Sequence, residues 1–342
     1  MEQSGVKSQK TPIFACRNDC AADAREGPYR TLFTIVMENS KIQGHGAVLV
    51  ANVIFGLSIP VTSDLLAKYL TPNANLLFRS AGAAVLFWMI AALMPRERVE
   101  RKDLWRMLGG GLMGGAISQL CAAWSLKFTN PVYFSFMATL TPIVVMLMAA
   151  LLIKEKMSAL KVTGVIVGIG GALLMVFSSW QSGSGSNDLL GILFALLALV
   201  TWALYLIITR RVSAKYSALT QMKWMWLVSA IFMLPMSWSE LPSQPLWASP
   251  TMSTGIVEML FIIVLATVVG FFMIPFAMKR LQATTVSVYT NLQPVVASAV
   301  AFAAGQATLT WDKPVAGVLV LASAYIVTVA ATKQQRPASR GS

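Results

Sequence analysis

Residues 189–209 read LLGILFALLALVTWALYLIIT, a run of 21 residues with no charged side chain. A helix of this length rises about 1.5 Å per residue and covers the roughly 30 Å of hydrocarbon in a bilayer. Similar apolar runs recur along the 342-residue chain, which is 56% hydrophobic and only 12% charged. No soluble domain of this size could bury so much apolar surface in one core, so the sequence predicts a membrane protein.

The sequence contains ten apolar runs of about 17–25 residues, each long enough to span a membrane. Their approximate centres are Ile54, Val85, Ala116, Val144, Gly168, Leu199, Ser229, Ala266, Ser298 and Leu321. The strict alternation of an outer-membrane strand is absent, so helices must satisfy the backbone hydrogen bonds. We therefore predict an all-α membrane protein with ten transmembrane helices.

Most of the 27 Lys and Arg residues lie in alternate connecting segments and in the two tails. Only Lys68, Lys127 and Lys313 lie in segments that belong to the opposite side. By the positive-inside rule, this asymmetry predicts a multi-pass protein of the bacterial cytoplasmic (inner) membrane with both termini in the cytoplasm. The net charge of +13 is spread over several loops, so it does not indicate nucleic-acid binding.

Two polar segments divide the chain. Residues 1–43 lack apolar periodicity and are predicted to be a disordered cytoplasmic tail, with Met37 as an alternative start to Met1. A Ser/Gly-rich linker at 179–188 separates a first half, 44–178, from a second half, 189–332. A short cytoplasmic tail at 333–342 ends the sequence.

The two halves resemble each other when one is shifted along the other. A shift of 152 residues aligns Leu140-Thr141-Pro142 with Leu292-Gln293-Pro294, and a shift of 147 aligns Phe55 with Trp202 and Lys68-Tyr69 with Lys215-Tyr216. Each half has five predicted helices, so the second half enters the membrane from the opposite side. The sequence therefore predicts two inverted five-helix repeats around a central cavity, an arrangement typical of secondary transporters.

Pro142 and Pro294 occupy equivalent positions within the predicted fourth and ninth helices. A proline inside a helix removes one backbone hydrogen bond and bends the chain. Breaks at corresponding positions of two repeats point to the binding region. We therefore predict that both prolines bend their helices beside the cavity, although membrane helices also tolerate proline without any such role.

Arg79 lies about five residues into the second predicted helix, where a charge is costly unless it pairs, faces water or reaches the membrane surface. It is a candidate to bind a solute carboxylate, and snorkelling toward the surface is the alternative. The other candidates for the cavity are polar or aromatic residues within the helices: Asn52, Gln119, Trp202, Tyr205, Tyr289, Asn291 and Gln293. Hydrogen bonding between helices is an alternative role for each amide, and Trp226 and Trp124 fit an interfacial aromatic belt equally well.

Several kinds of chemistry lack candidate residues. Three cysteines and the single histidine, His45, are too few for a disulfide framework or a metal cluster. No nucleophile, paired carboxylate or phosphate loop is present, so we predict no enzyme activity, no cofactor and no metal. The acidic residues near the apolar runs, Asp64, Glu155, Asp188 and Glu258, fall close to helix ends, which leaves a buried proton relay without a candidate.

The sequence resembles the EamA-like bacterial branch of the drug/metabolite transporter (DMT) superfamily over roughly residues 45–332. The similarity rests on Phe55-Gly56, Phe78-Arg79, Leu140-Thr141-Pro142 with Glu155, Trp202 and Leu292-Gln293-Pro294. It implies ten helices and export of amino acids, other metabolites or drugs through a central cavity. Gln293 and Ala307 stand where many relatives have glutamate, which weakens any inference of proton coupling.

Together these features predict a secondary transporter that exports a small metabolite or amino acid by alternating access. A non-transporting membrane sensor or assembly subunit is the alternative. The expected partners are a small-molecule solute and the lipid bilayer, with no nucleic acid. The sequence leaves both a monomer and a homodimer open.

Overall fold

A computed structural model describes residues 29–129, 131–153 and 187–303, together with single helical positions at 163, 166, 167, 318, 322 and 326. Predicted helices five and ten, Glu155, Ala307, most of the linker and the C-terminal tail lie outside the described residues. Contacts divide the chain into two units, Met1–Gln43 and Gly44–Ser342, and the sites below belong to the second. Every regular element in the described ranges is helical, which agrees with the predicted all-α class.

The first half contains six α-helices and one π-helix in the described part. They are α1 (Tyr29–Lys68), α2 (Pro72–Ala92), α3 (Arg101–Gly110), the first π-helix (Gly111–Ile117), α4 (Ser118–Phe128), α5 (Pro131–Ala138) and α6 (Thr141–Ile153). Helix α1 begins at Tyr29, so residues 29–43 of the predicted tail are helical, whereas residues 1–28 lie outside the described residues and their disorder stays a prediction. Residues 29–43 contain no proline or glycine that would interrupt a helix.

The second half contains six α-helices, a second π-helix and three short 3₁₀ turns in the described part. They are α7 (Asn187–Lys215), α8 (Ala218–Ser237), the turns Trp238–Ser243 and Pro245–Ala248, α9 (Met252–Phe261), the second π-helix (Ile262–Phe271), α10 (Phe272–Met278), α11 (Ala283–Val288), the turn Tyr289–Asn291 and α12 (Leu292–Ala303). Four stretches in the described residues are long and apolar enough to cross a membrane: Ser40–Lys68, Pro72–Ala92, Leu189–Lys215 and Met252–Met278.

Helices α2 and α8 pack side by side in opposite directions. The N-cap Thr71 of α2 donates a hydrogen bond from Oγ1 to Glu240, which follows α8, at 2.6 Å. The N-cap Ser217 of α8 donates from Oγ to Glu97, which follows α2, at 2.8 Å. We call these two ends of the bundle the Thr71 end and the Ser217 end.

A second pair of contacts repeats at the same two ends. The hydroxyl of Tyr69 lies 2.8 Å from Oγ1 of Thr251, the residue that precedes α9. The hydroxyl of Tyr216 accepts a hydrogen bond from the backbone N–H of Glu100, the residue that precedes α3. The two tyrosines that the 147-residue shift aligns therefore each contact the residue before a helix of the other half, whereas Lys68 pairs with Asp64 of its own helix and Lys215 pairs with Glu100 and Asp103.

The carboxylate of Glu97 is the charged partner at the Ser217 end. Partial burial raises the pKa of this carboxyl, but hydrogen bonds from Thr220 and Ser217 outweigh that effect and hold the pKa below its usual range. The carboxylate is therefore charged at neutral pH and caps the first turn of α8, where a negative charge is favourable.

The glycine run in α3 and the first π-helix lets α8 approach closely. A Cβ on Gly111 would lie 2.8 Å from Cα and 2.9 Å from the carbonyl oxygen of Met225, both backbone atoms that cannot move aside alone. A Cβ on Gly109, by contrast, would have no neighbour within 4 Å. Gly111 is thus required for packing, whereas Gly109 is not.

We expect Gly111→Ala to lower the stability of the protein by about 1–3 kcal/mol because the added methyl group pushes the helices apart. Gly109→Ala is the matched control and should leave stability unchanged or raise it slightly, since alanine favours a helix. Thermal unfolding of the purified variants in detergent measures both effects. Equal melting temperatures for the two variants would show that the close approach at Gly111 has no energetic weight.

Candidate functional site

A cavity of about 120 Å³ lies inside the helix bundle, in the half nearer the Thr71 end. This space holds several water-sized groups. Its walls come from α1, α2, α4, α5, α6, α7, the second π-helix, the helix break before α12 and the start of α12, and its lining residues include Ser58, Thr62, Asn75, Leu126 and Phe134. Four of the predicted candidates, Arg79, Gln119, Trp202 and Gln293, line this cavity.

Arg79 is turned into the bundle and only 8% exposed, so it does not snorkel to the membrane surface. Its Nε donates a hydrogen bond to Oγ1 of Thr267 at 2.6 Å, and its Nη1 donates to Oε1 of Gln119 at 3.0 Å. Both partners are neutral. Within the described residues no carboxylate forms an ion pair with Arg79, so its charge is not neutralised by the protein there.

Aromatic rings partly stabilise this charge. The guanidinium carbon lies 5.3 Å from the ring centroid of Phe271 and 5.7 Å from that of Trp226. Phe271 also packs edge-on against Trp202 and Phe55, which line the cavity. Trp226 is fully buried, so the interfacial-belt alternative is wrong for this residue.

The second π-helix places two of these contacts. Its wider turn lets Thr267 donate a hydrogen bond to the carbonyl of Ile262, five residues earlier, at 2.7 Å. The same Thr267 oxygen accepts from Arg79, and Phe271 ends the π-helix beside the guanidinium. Wide turns of this kind occur often at functional sites. Neither Thr267 nor Phe271 was predicted, because the sequence of the π-helix is uniformly apolar apart from Thr267.

Asn75 was also not predicted, although it lies one helical turn before Arg79 on the same face of α2. It lines the cavity and is 2% exposed. Its Oδ1 accepts no hydrogen bond within the part of the chain that the structure describes. An amide in an apolar helix, four residues from an arginine, was the signal that could have identified it.

Both prolines lie just after a break in their helix. The turn Thr139–Leu140 separates α5 from α6, and Pro142 is the second residue of α6. The 3₁₀ turn Tyr289–Asn291 separates α11 from α12, and Pro294 is the third residue of α12. A proline costs little in the first turn of a helix, so the helix is interrupted before the proline instead of being bent at it.

The residues at these breaks face the cavity. Ala138 and Thr141 line it on one side, and Thr290 and Gln293 line it on the other. The hydroxyl of Thr141 donates a hydrogen bond to the carbonyl of Ala138, the group that an uninterrupted helix would pair with residue 142. At this break the carbonyl of Ala138 therefore accepts a hydrogen bond from a side chain instead of from the backbone.

The remaining candidates lie around the cavity without lining it. Asn52 is buried and accepts a hydrogen bond from Nε2 of Gln293 at 2.7 Å. The hydroxyl of Tyr289 lies 2.7 Å from Nδ1 of His45. Asn291 is 7% exposed, and its side-chain amide has no hydrogen-bond partner among the described residues.

Tyr205 packs against Trp202 with the rings tilted and their centroids 4.9 Å apart, but it is fully buried and does not line the cavity. It belongs to a large apolar cluster that fills the half of the bundle nearer the Ser217 end. This cluster also contains Leu206, Met222, Ile274, Met278 and Val286. Among the residues that the structure describes, the half nearer the Thr71 end is therefore open, and the half nearer the Ser217 end is packed apart from a space of about 20 Å³ between α6, α7 and α11.

The sequence model of the EamA-like transporter family matches residues 42–177 and again residues 189–329. The chain belongs to the EamA-like transporter family. This family consists of multi-pass membrane transporters and not of enzymes. The double match covers most of the chain and includes every residue that lines the cavity.

Individual relatives are distant but similar over most of their length. The uncharacterized transporter YvbV of Bacillus subtilis is 22% identical over 84% of this chain and 92% of its own length. The uncharacterized transporter YetK of the same species is 20% identical over 80% of this chain and 83% of its own length. A crystal structure of another protein superposes with a TM-score of 0.62 at 16% identity, covering 87% of this chain and 99% of the other, which shows the shared fold.

Proposed function

We propose that this EamA-like protein is a secondary transporter of the bacterial inner membrane that exports a small metabolite or amino acid by alternating access between two inverted halves. The cavity is the solute site. If both termini are cytoplasmic, the Ser217 end faces the cytoplasm and the cavity is reached from outside.

One observation carries this proposal. Adding 147 to positions in α1 and α2, and 152 to positions in α4 and α5, assigns an equivalent residue of the second half to the cavity residues of these helices. Eight of these cavity residues have equivalents in the apolar cluster that fills the other half: Ser58 with Tyr205, Ile59 with Leu206, Asn75 with Met222, Arg79 with Trp226, Gln119 with Phe271, Ala122 with Ile274, Leu126 with Met278 and Phe134 with Val286. One of these equivalents, Phe271, also borders the cavity, and Phe55 and Ala138 pair with Trp202 and Thr290, which line the cavity themselves.

Much of the cavity surface of the first half therefore corresponds to packed surface of the second half. If the halves exchanged conformations, the present cavity would close and a second cavity would open toward the Ser217 end. Such an exchange is how inverted repeats give alternating access. The matching contacts of Tyr69 and Tyr216 at the two ends support the same interpretation.

Transport by the purified protein in proteoliposomes tests this function. We expect protein-dependent movement of at least one labelled solute from a panel of amino acids and small metabolites. Ala123→Trp should abolish it, because Ala123 is 3% exposed and lines the cavity, where the indole ring would fill the space. Leu93→Trp is the matched control, since Leu93 is 88% exposed and lies away from the cavity.

If Ala123→Trp leaves solute transport unchanged, the cavity is not part of the transport path. Absence of movement for the whole panel, with correctly folded protein, would favour the sensor or assembly role instead.

A further inference from the structure

The chemistry of the cavity indicates which solutes it accepts, an inference that rests on the proposed transport function. Arg79 carries a positive charge within a membrane-spanning helix, and its described protein partners are all neutral or aromatic. A buried, unpaired charge is costly, and an anion that enters the cavity would remove most of that cost. The missing counter-ion is therefore expected to be part of the solute.

The arginine is held in place before any solute arrives. A guanidinium has five N–H donors, of which Thr267 and Gln119 take two. The remaining donors are available to a ligand, and a planar fork of donors matches a carboxylate in a bidentate pair. The rings of Phe271 and Trp226 limit how the guanidinium can move.

Apolar side chains form much of the rest of the wall. Phe55, Phe134, Leu126 and Leu199 line the cavity together with Ile59. Such walls stabilise an apolar or aromatic body and cannot replace the hydration shell of a small multivalent ion. The charge and the walls together favour an organic carboxylate over inorganic phosphate.

Asn75 adds a second polar contact. It is one turn from Arg79, lines the same cavity and has an unpartnered Oδ1 among the described residues. Because side chains on a helix lean toward its N-terminus, the guanidinium of Arg79 reaches back to the level of Asn75. A hydrogen-bond donor close to the carboxylate of the solute would satisfy the asparagine oxygen.

We propose that the cavity selects an organic monocarboxylate with an apolar body and a hydroxyl or ammonium donor beside the carboxylate. Arg79 binds the carboxylate, and Asn75 accepts the hydrogen bond from the neighbouring donor. Both α-hydroxy acids and α-amino acids have this chemistry.

Calorimetric titration of the purified protein with four matched probes tests the proposal. Phenyllactate and phenylalanine carry the carboxylate and the donor, 3-phenylpropionate lacks the donor, and phenethylamine lacks the carboxylate. We expect at least one of the first two to bind best, 3-phenylpropionate to bind about tenfold more weakly, and phenethylamine and inorganic phosphate not to bind. Tighter binding by phenyllactate or by phenylalanine distinguishes the hydroxy acid from the amino acid.

Variants assign the two contacts. Arg79→Gln should weaken carboxylate binding by about ten- to a hundredfold, and Arg79→Lys should weaken it less because the charge is kept. In Asn75→Leu, phenyllactate and phenylalanine should bind no more tightly than 3-phenylpropionate. Lys223→Gln is the control, since it removes one positive charge that lies against Trp88 and Trp224 instead of the cavity.

Three outcomes would overturn the proposal: phenethylamine or phosphate binding as tightly as the carboxylates, Arg79→Gln and Arg79→Lys both binding like the wild type, or Lys223→Gln weakening binding as much as Arg79→Gln. A carboxylate that binds but is not moved in proteoliposomes would contradict the transport function and leave the site intact. Transport of only solutes that lack a carboxylate would support transport and contradict the site.

Discussion

Thr62→Cys is expected to react with a membrane-impermeant thiol reagent on the order of a hundredfold faster than Thr209→Cys. The reagent is added on the side of the Thr71 end for Thr62→Cys and on the side of the Ser217 end for Thr209→Cys. The two threonines are equivalent under the 147-residue shift. Thr62 lines the cavity, whereas Thr209 is 1% exposed in the closed half. If the opposite conformation is populated at about 1%, the labelling rates differ by that ratio.

A transported solute should change the ratio of the two labelling rates, because the protein must adopt the conformation that is open toward the Ser217 end once in every transport cycle. Labelling of Thr209→Cys should accelerate during turnover while labelling of Thr62→Cys slows. The experiment requires Cys16, Cys20 and Cys121 to be replaced by serine. Ser229→Cys is the control for a residue buried in both states, since Ser229 is fully buried and its equivalent, Gly82, does not line the cavity.

Equal labelling of both positions before solute is added, with no response to solute, would argue that the two halves do not exchange. Labelling of Thr62→Cys only from the cytoplasmic side would reverse the predicted orientation but leave the exchange intact. The experiment therefore separates topology from mechanism.

The apolar runs predicted an all-helical protein because membrane burial imposes a simple length rule on the sequence, and four stretches of the described residues meet that rule. Most of the predicted spans in the described ranges have a helical counterpart, including the two with broken helices at Pro142 and Pro294. The inverted repeat stays a prediction. Lys68-Tyr69 and Lys215-Tyr216 were aligned from sequence, and each tyrosine hydroxyl contacts the residue before a helix of the other half, Thr251 or Glu100.

The cavity was only partly predictable, because hydropathy does not say which way a side chain points. Trp202 and Tyr205 lie three residues apart on one helix face, yet only Trp202 lines the cavity. The tyrosine is packed because its half of the bundle is closed, and this depends on the conformation and not on the sequence pattern. Thr267 contacts Arg79 from a π-helix. The wider turn of a π-helix changes the direction in which the following side chains point, compared with an α-helix of the same sequence.

The structure also changes the physical role of the prolines. Each was predicted to bend a continuous helix, but both helices are interrupted shortly before the proline. Pro142 follows the turn Thr139–Leu140, and Pro294 follows the turn Tyr289–Asn291. Proline prevents each helix from becoming continuous, because it has no N–H to donate to the carbonyl four residues earlier. These carbonyls belong to Ala138 and Thr290, which both line the cavity.

The double variant Pro142→Ala/Pro294→Ala is therefore expected to slow transport by up to about a hundredfold. Alanine is about 3 kcal/mol more favourable than proline inside a helix. This value is the upper limit of the free energy by which one continuous helix would stabilise a single conformation of the carrier. If the halves exchange conformations by pivoting at the two breaks, continuous helices would hold the carrier in one state. Each single variant should slow transport less and should shift the labelling of Thr62→Cys and Thr209→Cys in opposite directions for the two prolines.

Pro235→Ala is the matched control, because Pro235 also lies inside a helix but is exposed and remote from the cavity. It should leave the transport rate unchanged, and all variants should insert and unfold like the wild type. Wild-type transport by the double variant would mean that the breaks persist without proline, held by Thr141 and its hydrogen bond to Ala138. In that case Thr141→Val in the double-variant background should produce the slowing, since it removes the remaining group that competes with a continuous helix.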